Sequence, residues 1–187
     1  MKKTLILGLG GAGTIMVNSA ALQELGCVFA INTDNESLKK SPLPNKLLIG
    51  SSICNGKAAL NPTQARLAAE SSKVSLEELF TSEINHLVLL AGLGGATGTG
   101  VIHVLSEIAK SKNIPVLASV TIPSKMEGIR RDIALQTVTQ LETGNVKVVV
   151  YDHEDASEFG DIGMLELMAK ADQSVCNEVV RELKVAI

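Results

Sequence analysis

The chain contains no cluster of lysine or arginine. Its 17 basic residues are scattered among 20 acidic ones, for a net charge of −3. The electrostatic footprint that a phosphate backbone requires is therefore missing, and nucleic acid is excluded as a partner. No apolar run approaches the roughly 18 residues needed to cross a bilayer, which excludes direct membrane insertion. The opening "MKKTLIL" places two lysines before an apolar run. That run is only about four residues, too short for a signal-peptide core, and it flows into glycines; a cytoplasmic address is expected. The three cysteines, Cys27, Cys54 and Cys176, are far apart with no Cys-x-x-Cys. They are expected to be reduced and mostly buried. His86, His103 and His153 show no ligand spacing with them, so no metal centre is assigned. No Gly-x-Ser-x-Gly nucleophile signature occurs, and no lysine follows a glycine turn as in the P-loop pattern. No catalytic residue is assigned.

What is present is a regular alternation of strand and helix signals. With 187 residues and 45% hydrophobic content, the chain suffices for one domain, residues 1–187, with a proper core. Strands are expected at 4–9, 27–34, 45–50, 86–91, 115–123 and 146–152. Helices are expected at 14–25, 61–72, 75–82, 100–112, 127–142 and 162–187. Asn61 suits an N-cap and Pro62 a first helical turn. Unbroken apolar strands separated by helices imply an α/β fold, a parallel sheet covered on both faces. Such sheets bind ligands at the carboxyl ends of their strands.

Two glycine turns follow expected strands, "GLGGAG" at 8–13 and "GLGGATGTG" at 92–100. Both should lie at the same edge of the sheet, each opening a helix whose free N–H groups favour an anion. Glycine lets backbone reach phosphate without a Cβ in the way. Thr97 and Thr99 add hydroxyl donors. One Gly-x-Gly-x-x-Gly is weak evidence, because a tight strand–helix turn looks the same. Two such turns on one edge suggest several phosphates cradled by backbone.

These residues resemble the FtsZ/tubulin family. "GLGGATGTG" is similar to the family's glycine-rich signature, with Ala96 in place of one glycine. "AINTDNESL" (30–38) resembles its second loop and the short helix that follows. "GKAALNP" (56–62) resembles its third loop, "MEGIRRDIA" (126–134) its Phe-Glu-Gly-x-x-Arg segment, and "LELMAKADQSV" (165–175) its long central helix. The resemblance runs in order along nearly the whole chain. It implies a three-layer, mostly parallel Rossmann-like nucleotide-binding domain that ends in the central helix. It also implies that GTP or GDP is bound, with Mg²⁺. Gly10, Gly11, Ala12, Gly13 and Thr14 would serve the phosphates from the first turn, and Ala96, Thr97, Gly98 and Thr99 from the second. Glu127 would bond the ribose, Arg131 would approach sugar and phosphates, and Asp172 would read guanine. Asp34 would support Mg²⁺ or the phosphate loops.

The departures are Ile15 in place of an asparagine, a third loop that lacks its inner glycines, and "YDHED" (151–155), where Asp152 stands for an asparagine. The family's catalytic acid loop and second domain are not in this chain. On the last helix, Leu165, Met168, Val175, Val179 and Leu183 form an apolar stripe. Glu166, Lys170, Gln173, Asn177, Arg181 and Lys184 form a polar face. A face that packed on a second domain should be apolar, so the chain is expected to be naturally complete. Three readings follow. The first is a GTP-binding protein that self-assembles, or modulates a related filament of the cytoskeleton or cell division, with weak or no hydrolysis. The second is an active GTPase, through oligomerisation or as a fragment of a longer enzyme. The third is a Rossmann-type NAD or FAD binder, supported by "GLGGAG" and by Asp34 about two dozen residues later.

Overall fold

The computed structural model of the protein describes residues 3–154 and 164–186. The fold follows the expected alternation. The strands are β1 (Lys3–Leu9), β2 (Gly26–Asn32), β3 (Lys46–Leu48), β4 (Ile84–Gly92), β5 (Val116–Ile122) and β6 (Lys147–Asp152). The helices are α1 (Gly10–Met16), α2 (Ala20–Gln23), α3 (Asn35–Lys40), α4 (Ser51–Cys54), α5 (Pro62–Ser71), α6 (Lys73–Glu78), α7 (Ala96–Ser111), α8 (Ile129–Thr143) and α9 (Met164–Ala186). A 3₁₀ turn, Lys125–Glu127, precedes α8. The expected last helix includes 162, 163 and 187, which lie outside the described residues, as do residue 155 and the side chains of Leu165, Met168 and Lys184.

The six strands form one sheet in the order β3-β2-β1-β4-β5-β6, with every pair parallel. Strand order reverses direction between β1 and β4, which opens a crevice at their carboxyl ends. Side chains alternate across the sheet. Leu5, Leu7, Leu9, Leu87, Leu89 and Ala91 enter one core with α5, α6, α7 and α8. Ile6, Val28, Ala30, Val88 and Leu90 enter the other with α1, α2, α3 and α9. Each fully buried Leu or Ile contributes about 1.5–3 kcal/mol of transfer free energy, so both faces are needed to hold the crevice in shape. On α9 the apolar stripe docks through Val175, Val179 and Leu183, while Glu166, Gln173, Asn177 and Arg181 are exposed.

Two helices begin earlier than expected. α1 starts at Gly10 rather than residue 14, and α7 at Ala96 rather than residue 100. Glycine is a poor helix former, so its presence hid the first turns from propensity reasoning. The expected helix 14–25 is broken into α1 and α2 at Val17–Ser19. Asn18 and Ser19 favour local backbone hydrogen bonding over helix. α4 was not expected; it is a single turn held between two left-handed residues, Gly50 and Asn55.

Candidate nucleotide-binding cleft

At the reversal point the carboxyl ends of β1 and β4 deliver both glycine turns to one cavity of about 560 Å³. Gly10, Gly11 and Ala12 form one side of its floor, and Ala96, Thr97 and Gly98 the other. The two turns touch. A Cβ added at Gly10 (φ +70°) would lie 3.1 Å from the Gly98 nitrogen, and one added at Gly92 would lie 2.9 Å from the Ala12 Cβ. Neither α1 nor α7 has a side-chain N-cap or an acidic residue in its first turn. By contrast, Asp34 caps α3 and Asn61 caps α5. The first N–H groups of α1 and α7 thus open on the same space with no side-chain cap of their own.

The remaining walls come from four other elements. Ala58 and Ala59 belong to the loop before α5. Thr121, Pro123 and His153 end β5 and β6. Glu127 and Arg130 open α8, joined by an ion pair of 2.6 Å. Ala169 and Asp172 come from α9. Asp172 is half-buried and has no hydrogen-bond or ion partner among the described residues. Burial alone lifts its carboxyl to about 6. Burial also pushes the His153 imidazole below its ordinary value, against the pull of Glu127 and Asp152.

The cavity therefore gathers Gly10, Gly11, Ala12, Ala96, Thr97, Gly98, Glu127 and Asp172. The other expected residues stand behind it, each with a task. A Cβ at Gly13 would meet the Leu90 carbonyl oxygen at 2.3 Å, so this glycine lets α1 lie directly on β4. The Thr14 hydroxyl is buried with no partner among the described residues. Thr99 accepts from the Gly94 N–H at 3.0 Å and fixes the second turn. Asp34 accepts from the Glu36 N–H and the Ser37 hydroxyl, and the hydroxyl holds its carboxyl below the usual range. Arg131 donates to both carboxylate oxygens of Asp152, at 2.7 and 2.6 Å, and to the Pro123 carbonyl. That guanidinium depresses the Asp152 carboxyl.

Arg130 and His153 are wall residues that sequence reasoning did not single out. Two consecutive arginines differ by about 100° on a helix, and sequence alone does not say which faces inward. His153 had one available signal, its place just past the end of β6.

A profile described as Tubulin/FtsZ family, GTPase domain, matches residues 3–160. The cell division protein FtsZ of Porphyromonas gingivalis is 32% identical over 178 residues, 92% of this chain and 39% of that protein. The mitochondrial division protein fszB of Dictyostelium discoideum is 38% identical over 136 residues, 70% of this chain and 37% of that protein. This chain thus spans about two fifths of the length of these relatives. Among solved structures, an empty FtsZ dimer from M. jannaschii superposes with a TM-score of 0.90 at 28% identity, covering 98% of this chain and 55% of that one. A GTPγS-bound protofilament of CetZ2 from Haloferax volcanii superposes at 0.82 with 25% identity, covering 98% and 58%. With the reversed six-stranded parallel sheet and its paired glycine turns, these matches place the chain in the Tubulin/FtsZ family.

Proposed function

We propose that the cleft binds a guanine nucleotide, with phosphates on the two glycine turns and the base at Asp172. One arrangement carries this reading. Two uncapped helix N-termini and a partnerless, half-buried carboxylate lie in a single cavity. The helix ends supply donors for anionic oxygens. The carboxylate is acceptor-only when ionised. Guanine offers it the N1–H and 2-amino donors, whereas adenine presents no such pair. Pairing with those donors also offsets the burial that raises this carboxyl. Glu127 and Arg130 line the same cavity and would contact the ribose. A NAD or FAD site is not favoured, since the second glycine turn and Asp172 would have no role in it.

Magnesium fits as an ion carried by the nucleotide. Mg²⁺ keeps several waters and uses one or two carboxylates plus substrate phosphates. No group of three metal-ligating side chains occurs among the described residues. The Asp34 carboxylate is engaged at the start of α3. The nucleotide phosphates and water would therefore supply most of the ligands for that ion.

Hydrolysis by one copy of the chain is expected to be slow. Around the glycine turns the cavity is lined by Gly, Ala and Thr, none of which orients a water as a base. Self-association is part of the proposal. Ile15, Leu60, Met126 and Ile129, at or next to wall residues, are 62%, 85%, 97% and 76% exposed. An apolar fringe around the cleft suits a surface that closes over bound nucleotide. If a second copy completes the site, turnover per molecule rises with protein concentration. The deciding experiment is calorimetric titration with GTP, GDP, ATP and NAD in the presence of Mg²⁺. GTP and GDP binding with ATP and NAD silent supports the proposal, and silence from all four removes it.

A further inference from the structure

Thr33 does not reach the cavity, yet it links two of its walls. It lies directly after β2, is 0% exposed, and its backbone is pinned because the Asn32 side chain accepts from its N–H at 2.8 Å. Its hydroxyl accepts from the Ala59 N–H at 3.1 Å and lies 3.3 Å from the Thr97 hydroxyl. The Thr33 hydroxyl also faces the buried Cys54 thiol at the end of α4, opposing the burial that raises that thiol. Ala59 and Thr97 both line the cleft. The loop before α5 is thus bonded to the second glycine turn through one buried oxygen atom.

The proton count decides how this junction works. Thr33 accepts from Ala59, so its single hydroxyl proton goes either to the Thr97 oxygen or to the Cys54 sulfur. Sulfur is the weaker acceptor. With an anion against Thr97, that hydroxyl turns its own proton toward the anion and its lone pairs toward Thr33. Every link then points one way: Ala59 N–H to Thr33 oxygen, Thr33 O–H to Thr97 oxygen, Thr97 O–H to the anion. Aligned hydrogen bonds polarise one another, most strongly in a dry site. Without the anion, Thr97 can donate to Thr33 instead, and Thr33 to the thiol, which leaves the Ala59 bond unassisted.

We infer that Thr33 is a positioning residue that couples occupancy of Thr97 by a phosphate-type anion to the hold on the loop at 56–61. This inference rests on the proposed nucleotide site. Neither glycine turn otherwise reports to that loop through a side-chain hydrogen bond among the described residues.

Backbone amide exchange at 56–61, measured with and without saturating GTP and Mg²⁺, tests the coupling on the full chain. In the unmodified protein GTP should slow exchange there by a factor of up to about five, the limit set by one net hydrogen bond. Thr33→Val keeps the shape and removes the hydroxyl; GTP should then bind without slowing that loop, and Thr33→Ser should restore the effect. Equal slowing in Thr33→Val and the unmodified protein would overturn the coupling while leaving the nucleotide site standing. No GTP binding by the unmodified protein would overturn both. If Thr33→Val does not fold, Thr33→Ala removes the same hydroxyl with a smaller side chain, and retained slowing there also overturns the coupling.

Discussion

Asp172 is the residue whose titration should be visible. Its folded-state value, about 6, lies above the 3.8 of an ordinary aspartate. The folded state therefore holds a proton that the unfolded chain has lost between those values, and stability falls as pH rises from about 4 to 6. Asp172→Asn removes this slope. The variant should gain stability over the natural protein at pH 7 but not at pH 3, by on the order of 1 kcal/mol after discounting for solvent screening. Urea unfolding at both pH values measures it. Guanine nucleotide affinity should move the other way, weakening as pH drops through 6, since the protonated carboxyl loses an acceptor site. The two arginines should also separate. Arg131→Ala strands a largely buried Asp152 carboxylate and should cost about 2–3 kcal/mol in stability. Arg130 is mostly exposed, so Arg130→Ala should leave stability within about 0.5 kcal/mol and lower nucleotide affinity. Asp172 was reached in the sequence through the resemblance of "LELMAKADQSV" to the family's central helix, and it lines the cavity. The choice between Arg130 and Arg131 was not legible there, because the partner that captures Arg131 is 21 residues away on another element.

At the scale of elements, the two glycine turns are helix starts, and their glycines do different things. Gly11 has nothing within 4 Å of an added Cβ, while Gly13 would drive one into the Leu90 carbonyl at 2.3 Å and the Gly8 carbonyl carbon at 2.8 Å. Gly11→Ala should fold normally and weaken nucleotide binding by putting a methyl group into the cleft. Gly13→Ala should destabilise by about 2–4 kcal/mol through forced separation of α1 from the sheet. Thermal unfolding and GTP titration of the pair distinguish ligand contact from packing. Gly98 is a poorer probe, because its Cβ would meet the Gly92 carbonyl at 2.7 Å. Periodicity found every strand to within a few residues, since apolar runs buried on both faces leave an unmistakable trace. It placed the starts of α1 and α7 four residues late. Those first turns are rich in glycine, which has little preference for helix.

At the scale of the molecule, the exposed apolar fringe makes a separate prediction. Leu60→Glu combined with Met126→Glu alters two residues that are 85% and 97% exposed. The melting temperature should stay within about 2 °C of the natural protein. Any GTP-dependent sedimentation should be lost, and with it the steeper-than-linear rise of turnover with concentration. Retention of both would place the self-association surface elsewhere. The sheet order itself was not legible. The sequence implied parallel strands, but nothing local states that β1 is the neighbour of β4.

That neighbour relation sets the order in which the molecule can be built. β1 is made before β4, yet on one side it pairs only with β4, as in Thr4 opposite His86 and Leu9 opposite Ala91. Until residues 84–92 have been synthesised, β1 carries an open hydrogen-bonding edge in the middle of what will be a buried sheet. Closing it demands a long loop, and long-range parallel pairing is slow and prone to misassociation. The cleft lies on that same seam. On the proposed function, a half-built chain would bind no nucleotide, and the ligand would recognise only molecules whose central pairing is complete. Ligand at a hundred times its dissociation constant would then favour the finished sheet by about 2.7 kcal/mol. Refolding followed by pulsed amide exchange should show β4 protected late, at the moment nucleotide binding first appears.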